Sequence, residues 1–394
     1  TDPLTTPGGA RVNSAGISPH GCGASFAPVR FVADPARAAR TSPSLPAHAY
    51  FDTRWAQRES ERLWPRVWHL AAWSGDLARA GDRAVYSCGR DRAVLVRGED
   101  GALRAFEDCC PHRGALLTDP AIDAGPLPCA RARSGADGCA FECAFHGWRF
   151  GDDGALRDAR GYGARVSSRA WALTELACEE RHGWAWVRFA SENTTLSRFL
   201  GPELADLFAR YDTARHALVG DYTLSLACNW KVAIDATVET YHASRVHPEL
   251  AAYVRERDSE VSLFARHSAL RIPFALASHE AEPEADHGAA LTALLRKGGI
   301  EIGEVKPSEV RSVLQRHKRS LSATHFPYAS LTDDELVDDA HVSVFPHAAL
   351  NLFAETRTLF RARPDPHDPA RCRWDVQFYR VLSPEERAHW VRPP

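Results

Sequence analysis

Two short segments of the sequence each bring a cysteine and a histidine close together. The first is Cys110-Pro-His112-Arg-Gly, and the second is Cys143-Ala-Phe-His146-Gly-Trp. Proline and glycine favour tight loops, and thiolate and imidazole groups are good metal ligands. Two cysteines and two histidines suit either a structural zinc ion or a [2Fe–2S] cluster of the Rieske type, in which cysteines hold one iron and histidines the other.

The spacing within these loops favours the cluster. Zinc fingers normally pair cysteine with cysteine and histidine with histidine at short spacings, whereas each of these loops offers one ligand of each kind. A mixed loop can give its cysteine to one iron and its histidine to the other. We therefore predict that Cys110, His112, Cys143 and His146 bind a [2Fe–2S] cluster.

A second group of potential ligands follows Asn229-Trp230-Lys231, which we predict to open a helix. The apolar stripe of this helix is formed by Trp230, Ile234, Val238 and Tyr241. A neighbouring polar stripe is formed by Asp235, Glu239 and His242. His247 lies about 140° off that face on a regular helix, so the helix should loosen or end before His247-Pro248.

Two imidazoles with carboxylates nearby suit a 2-His-1-carboxylate Fe(II) site with open positions for oxygen. We predict His242 and His247 as two of its ligands. Glu239 could be the third, as in the Glu-x-x-His pairs of di-iron bundles. Asp235 lies seven residues before His242, about 10 Å along a helix, and should be too far away to share the metal.

The pattern along the chain predicts three regions. Residues 1–47 are rich in Ala, Pro, Ser, Gly and Arg without periodicity, and we expect a flexible tail there. Residues 48–190 show the short strands of a small all-β domain behind a leading helix. Residues 191–394 alternate helical stretches with strands, which is typical of an α+β domain with an antiparallel sheet.

Several local signals predict individual helices, hairpins and strands within these regions. Asp52 is a predicted N-cap of the leading helix, which should stop at Pro65. Asp100-Gly101 and Asp153-Gly154 predict hairpins, and Trp184 begins a strand. Later strands are predicted at Val342–Phe345, Ala349–Phe353 and Trp374–Val381, after a charged helical surface over residues 280–320.

Composition narrows the classes of function. Of the 394 residues, 44% are hydrophobic and 25% are charged, as in an ordinary globular protein. The net charge of −3 lacks the basic excess of a nucleic-acid binder. No apolar stretch approaches ~18 residues, so we expect neither a membrane span nor a secreted chain. Ten cysteines in such a chain indicate metal binding before disulfides.

The two groups together resemble the alpha (terminal oxygenase) subunits of the Rieske non-haem iron, aromatic-ring-hydroxylating oxygenases. The shared features are the CPHRG and C-x-x-HGW loops and Glu239-x-x-His242-x4-His247 behind an NWK opening, in that order, and the resemblance covers about residues 48 to 390. One departure is the interval of 30 residues from 113 to 142, about twice the usual one. An inserted surface loop, Leu127–Ala140, with the spare thiols of Cys129 and Cys139, would explain it.

The resemblance implies an N-terminal Rieske domain and a C-terminal catalytic domain with mononuclear Fe(II). It implies a cytoplasmic oxygenase that uses O2 and electrons from an NAD(P)H-dependent reductase, with or without a ferredoxin. The substrate would be a small organic molecule, as in aromatic hydrocarbon catabolism, and the product would be hydroxylated, dihydroxylated or demethylated. Electrons would pass through His112 or His146 and then Glu239 to the iron of an adjacent subunit in a homotrimer, which makes Glu239 a bridge and not a ligand.

The family's third iron ligand has no counterpart in this sequence. In the family it is an Asp on a helix after the strands that here end near Val381, and this sequence ends at Pro394. Asp375 is predicted on a strand, and Glu385 and Glu386 in the first turn of the next helix, so none of them matches. This keeps open a Rieske protein that only transfers electrons. A zinc-stabilised binding protein is the third alternative.

Overall fold

The computed structural model describes residues 45–127, 139–161, 170–191, 194–276, 293, 295, 296, 300, 305–321 and 328–393. The predicted flexible tail therefore lies outside the described residues, except for residues 45–47. Most of the predicted insertion, residues 128–138 with Cys129, also lies outside them. No helix in the described part of the chain is both long and apolar enough to cross a bilayer.

The N-terminal half is a β domain with a seven-stranded antiparallel sheet in the order β1-β10-β9-β4-β3-β2-β5 and a three-stranded sheet β6-β7-β8. The strands are β1 His69–Trp73, β2 Arg83–Cys88, β3 Asp91–Arg97, β4 Leu103–Glu107, β5 Ala124–Leu127, β6 Cys139–Glu142, β7 Arg149–Gly151, β8 Leu156–Asp158, β9 Glu175–Arg181 and β10 Trp184–Arg188. Both predicted hairpins are confirmed, with Gly101 and Gly154 at positive φ in their turns.

The C-terminal half contains a second seven-stranded antiparallel sheet, in the order β11-β17-β16-β15-β14-β13-β12. Its strands are β11 His216–Leu226, β12 Glu260–Leu263, β13 Ser268–Ile272, β14 Asp339–Val344, β15 Ala348–Leu352, β16 Thr356–Pro364 and β17 Cys372–Val381. The predicted α+β class with an antiparallel sheet is confirmed, and each of the three predicted late strands lies within three residues of its expected bounds.

Both halves of the chain also contain α-helices. They are α1 Thr53–Arg62, α2 Leu196–Arg210, α3 Trp230–Asp235, α4 Ala243–Val246, α5 Val310–Ser320 and α6 Pro384–His389. Asp52 caps α1 as predicted, since its carboxylate accepts the Arg54 N–H, although α1 ends at Arg62 and not at Pro65. The main core lies between α2, α5 and one face of the sheet, which presents residues such as Val342, Leu350 and Leu359.

A buried ion-pair network joins the two domains. Arg361 and Arg363 of β16 both donate from Nε to Oδ2 of Asp375 on β17, at 2.7 Å each. The Nη1 groups of both arginines donate to backbone carbonyls of the N-terminal domain, at Leu70 and Ser87. The carboxylate thus holds two arginines that bind the other domain's backbone.

Candidate metal centres

The two predicted cluster loops share one backbone turn. The N–H of Cys110 donates to Ala115 O at 2.7 Å, and the N–H of Gly114 donates to Cys110 O at 2.9 Å. The second loop repeats both bonds at 2.8 Å, from Cys143 N–H to Trp148 O and from Gly147 N–H to Cys143 O. Gly114 and Gly147 have φ of 73° and 70°, a region that a side chain rarely adopts.

This turn brings like ligands of the two loops together. Cys110 and Cys143 are 1% and 2% exposed, whereas His112 is partly exposed and His146 is exposed. The two imidazole centroids lie 4.7 Å apart. Burial raises the pKa of Cys110 to about 11, and its thiol neighbour Cys143 adds to that rise, while the backbone N–H of His112 opposes it.

The donor set therefore fits a Rieske cluster, with paired thiols inside and paired imidazoles towards solvent. The ring of His112 stacks on Trp148 at 4.5 Å with an interplanar angle of 4°, which fixes its orientation. Desolvation, followed by the charges of His146 and Arg113, lowers the pKa of His112, and this favours the neutral form that ligation requires. The sequence flagged Trp148 only as part of a motif and did not predict this stacking.

The predicted iron segment is not one continuous helix, and that prediction was wrong. Trp230 and Ile234 are buried as expected, but α3 ends at Asp235, and Val238 and Tyr241 are 38% and 87% exposed. The reason is local: residues 237, 238 and 240 are β-branched, and the Thr237 hydroxyl donates to Ile234 O at 2.8 Å, which competes with the helix.

The break changes the environment of the acidic residues. Asp235 accepts a hydrogen bond from the Tyr50 hydroxyl at 2.9 Å, so its place is set by the N-terminal segment and not by a helical stripe shared with His242. The distance of about 10 Å between Asp235 and His242 that the sequence predicted assumes a continuous helix, so it does not apply to this structure. The carboxylate of Glu239 instead accepts the backbone N–H of Tyr241 and of His242, just before α4 begins.

The two predicted iron histidines lie together. Their ring centroids are 5.6 Å apart. His242 Nδ1 lies 2.5 Å from Oε1 of Glu239, and this bond leaves Nε2 of the ring for a metal. His247 follows α4 and precedes Pro248, where the helix ends as predicted. Its Nδ1 is 3.6 Å from Oε1 of the exposed Glu249, beyond good hydrogen-bond range. The residues present thus fit the two-histidine half of an iron site.

The other acids considered from the sequence are engaged elsewhere. Asp375 is buried between Arg361 and Arg363. Glu386 caps α6 with Ser383 and pairs with Arg380 at 2.8 Å. Glu385 lies in the first turn of α6, as predicted. In the described ranges, Glu239 forms a hydrogen bond to the histidine pair, and no other carboxylate does.

A third group of possible ligands lies buried between the domains and was not predicted as a site. One ligand atom from each of His69, Cys88 and His347 lies within 4.8 Å of the others. The Tyr86 hydroxyl lies between the imidazoles, 3.2 Å from His69 Nδ1 and 3.1 Å from His347 Nε2. Since this hydroxyl bonds to both rings, we interpret the group as a hydrogen-bonded part of the core.

The NWK opening is anchored by an acid that sequence reasoning missed. Glu59 of α1 accepts from Trp230 Nε1 at 2.9 Å and from Lys231 Nζ at 2.7 Å. Asn229 caps α3 by accepting the Lys231 N–H at 3.0 Å. Because Glu59 lies 171 residues before Trp230, no local signal could have predicted the contact.

Comparisons with known proteins agree with this arrangement. Residues 67–168 match the Rieske [2Fe-2S] domain, and residues 213–392 match the ring hydroxylating alpha subunit (catalytic domain). The chain is 26% identical over 238 residues to a terephthalate 1,2-dioxygenase terminal oxygenase component subunit alpha 2 of Comamonas sp, covering 56% of this chain and 52% of the relative. It is 29% identical over 233 residues to the carnitine monooxygenase oxygenase subunit of Escherichia coli (strain K12), covering 56% and 55%. The chain thus spans about half the length of these curated relatives.

Solved structures share the fold. A quaternary ammonium Rieske monooxygenase superposes with a TM-score of 0.63 at 18% identity, covering 89% of this chain and 80% of that one. Naphthalene 1,2-dioxygenase from Rhodococcus sp. superposes with a TM-score of 0.60 at 19% identity, covering 89% and 75%. At these identities the likeness extends to the fold alone.

Proposed function

Because this chain belongs to the alpha subunits of the Rieske non-haem iron oxygenases, we propose that it is the terminal oxygenase component of such a system. It would use O2 and NAD(P)H-derived electrons to hydroxylate, dihydroxylate or demethylate a small organic molecule. The observation that supports this most is the presence, in one chain, of the Cys/His loops and of the His242–His247 pair with its bonded acid. An electron-transfer protein without oxygenase activity would need only the loops.

We assign Cys110 and Cys143 to one iron of the cluster, and His112 and His146 to the other. The buried thiols and the outward imidazoles support this assignment. The cluster held by the two loops would supply single electrons, and an iron held by His242 and His247 would supply the chemistry of oxygen activation.

We assign Glu239 to positioning and not to ligation. Its Oε1 is bonded to His242 Nδ1 and its Oε2 accepts two backbone N–H groups, so both oxygens are engaged. An acid on Nδ1 fixes the tautomer and the orientation of the ring and leaves Nε2 for the metal. The same carboxylate could also accept a bond from a cluster histidine of another subunit, as in the family's homotrimer.

We also infer the partners and location from the proposed activity. A separate NAD(P)H-dependent reductase, with or without a ferredoxin, would deliver electrons to the exposed edge of His146, beside Phe145, which is 59% exposed. Dependence on NAD(P)H favours a cytoplasmic location. A homotrimer would bring the cluster of one subunit beside the His242–His247 pair of the next.

The proposal is tested by spectroscopy, metal content and oxygen uptake together. The anaerobically reduced protein should give the low-average-g EPR signal of a Rieske cluster, and the metal count should exceed two irons per chain. Cys143→Ala should abolish the signal, and Cys129→Ala is the matched control that should retain it. Substrate-dependent oxygen uptake with a reductase separates an oxygenase from an electron carrier. A colourless protein that contains zinc would contradict the proposal.

Glu239→Gln tests the role of the acid. We expect both metals to be retained and turnover to fall by about 10- to 100-fold, because the charged acceptor on His242 is lost while the shape is kept. Iron analysis of the variant decides the alternative. Loss of the mononuclear iron with retention of the cluster would make Glu239 a ligand.

A further inference from the structure

The two cluster loops are held at their ends in different ways. The second loop lies inside a hairpin, because Glu142 of β6 pairs with Arg149 of β7 on either side of it. The first loop has no such frame, since the strand before it, β4, ends at Glu107 and the next strand along the chain, β5, begins only at Ala124. Strand pairing therefore does not join the two ends of the first loop to each other.

A single buried carboxylate joins these two ends. Asp108 lies two residues before Cys110 and is 2% exposed. Its Oδ1 accepts the backbone N–H of Leu117 at 2.8 Å and of Thr118 at 3.1 Å, both just after the loop. Its Oδ2 accepts Arg92 Nε at 2.5 Å and also the Thr118 hydroxyl. Four hydrogen bonds use the accepting capacity of a carboxylate, so Asp108 is fully engaged in closing the loop.

Arg92 extends this contact beyond the loop. It lies on β3, and its backbone O accepts the Asp108 N–H at 3.1 Å. Its Nη2 lies within hydrogen-bond distance of three oxygens, at 2.8 Å from Thr118 Oγ1, 2.9 Å from Asp119 O and 2.7 Å from Ile122 O. One guanidinium group of the main sheet thus binds the segment between the loop and β5. We call Asp108 and Arg92 together the loop clamp.

The loop clamp also places a charge near the predicted cluster ligands. Because Asp108 is two residues before Cys110, their Cα atoms are at most about 7 Å apart. Both residues are buried, and charges in buried surroundings are weakly screened. The reduction potential of an iron–sulfur cluster depends on the net charge around it. A carboxylate beside the loop opposes the addition of an electron, so Asp108 should lower the potential of a bound cluster.

We propose that Asp108, supported by Arg92, is a positioning residue for the cluster, which holds the first loop closed around its two ligands and contributes a negative charge beside them. This inference rests on the proposed binding of a [2Fe–2S] cluster by Cys110 and His112. Both ligands lie between the two ends that Asp108 joins, so opening of the loop would move them together. Loss of groups that support metal ligands in this way typically weakens metal binding about 10- to 100-fold.

Two substitutions separate the geometry of the loop clamp from its charge. Asp108→Asn keeps the shape and removes the charge, and its NH2 group would face groups that are themselves donors. Arg92→Lys keeps the charge and loses the planar group that contacts Asp108 and the segment after the loop. The matched control is Asp100→Asn in the β3–β4 hairpin, since Asp100 also binds an arginine and a backbone N–H but has a side chain that is 54% exposed.

The assay is the anaerobic loss of the cluster from the metal-loaded protein in the presence of an iron chelator, followed by visible absorption and EPR. A redox titration of each protein gives the reduction potential. We expect both clamp variants to lose the cluster about 10- to 100-fold faster than the wild type, because the cluster leaves through the opened loop. The potential should rise in Asp108→Asn and stay at the wild-type value in Arg92→Lys. The control should match the wild type in both measurements.

The opposite results overturn the inference. If both clamp variants melt at a lower temperature but keep the wild-type rate of cluster loss and the wild-type potential, the loop clamp only stabilises the domain. An unchanged potential in Asp108→Asn would refute the role of its charge. If Asp108→Asn does not fold, Arg92→Gln takes its place, and it must speed cluster loss and, having removed a positive charge, lower the potential. A wild-type protein without a Rieske EPR signal would instead refute the proposed function, and this inference with it.

Discussion

The interdomain ion-pair network predicts a large loss of stability from one conservative change, Asp375→Asn. The carboxylate is 2% exposed and accepts bonds from Arg361 Nε, from two nitrogens of Arg363 and from the Thr223 hydroxyl, all within 2.9 Å. Removing one partner of a buried ion pair leaves an uncompensated charge and costs about 3–5 kcal/mol, and here two guanidinium groups lose the carboxylate that they share. For a domain of this size we expect the melting temperature to fall by roughly 6 to 20 °C.

Calorimetric melting of the wild type, of Asp375→Asn and of Asp333→Asn measures this effect. Asp333 also pairs with an arginine, Arg319 at 2.7 Å, but its side chain is 67% exposed, so its change should cost less than about 1 kcal/mol. A loss in Asp375→Asn no larger than in Asp333→Asn would refute the reasoning.

The pH dependence provides a second check with a definite sign. Burial raises the pKa of Asp375, but Arg363 and Arg361 outweigh burial and hold it well below its usual range. A lowered folded-state pKa gives stability that is fully present above the unfolded pKa of about 3.9 and is lost as the pH falls towards the folded value. The difference between wild type and Asp375→Asn should therefore stay constant from about pH 5 to 8 and shrink below about pH 4.

Two further sets of substitutions test a buried ion pair and two turn glycines. Glu59→Gln leaves the ammonium group of Lys231, whose side chain is 6% exposed, without the charged partner that lies 2.7 Å away. Thermal melting should show a loss of roughly 3 kcal/mol, and Glu59→Asp, which keeps the charge, should lose less. Gly154→Ala should lower the stability more than Gly101→Ala in the same assay. Both glycines have positive φ, which costs a residue with a side chain about 1–2 kcal/mol. At Gly154, in addition, the new Cβ would lie 2.5 Å from the ring of Phe106. Equal losses at the two glycines would show that this ring can move aside.

The cluster loops could be predicted from the sequence because every determinant is local. Each ligand pair lies within four residues, and the glycine that closes each turn follows its cysteine by four positions. The hairpins at Asp100-Gly101 and Asp153-Gly154 were predictable for the same reason, since turn chemistry needs no distant partner. Burial of the cysteines and stacking of His112 on Trp148 depend on how the two loops meet, and no spacing reports that.

Contacts between distant segments could not be predicted. From the sequence, Asp375 was predicted only as a strand residue. Its ion pairs with Arg361 and Arg363 depend on the register between β16 and β17 and on the contact of β16 with the N-terminal domain.

The broken helix explains the arrangement of the predicted iron ligands His242 and His247 better than a continuous helix would. On a continuous helix, the side chains of His242 and His247 would point about 140° apart. The N–H groups of Tyr241 and His242 would then donate to backbone carbonyls one turn earlier and not to Glu239. The break after Asp235 frees the N–H groups of Tyr241 and His242 for the Glu239 carboxylate, and the short α4 then returns the second ring to 5.6 Å from the first. The spacing of the sequence selected His242 and His247 as candidate ligands, and in the structure α4 and the non-helical backbone at His247 bring their rings together, with Glu239 bonded to the first ring.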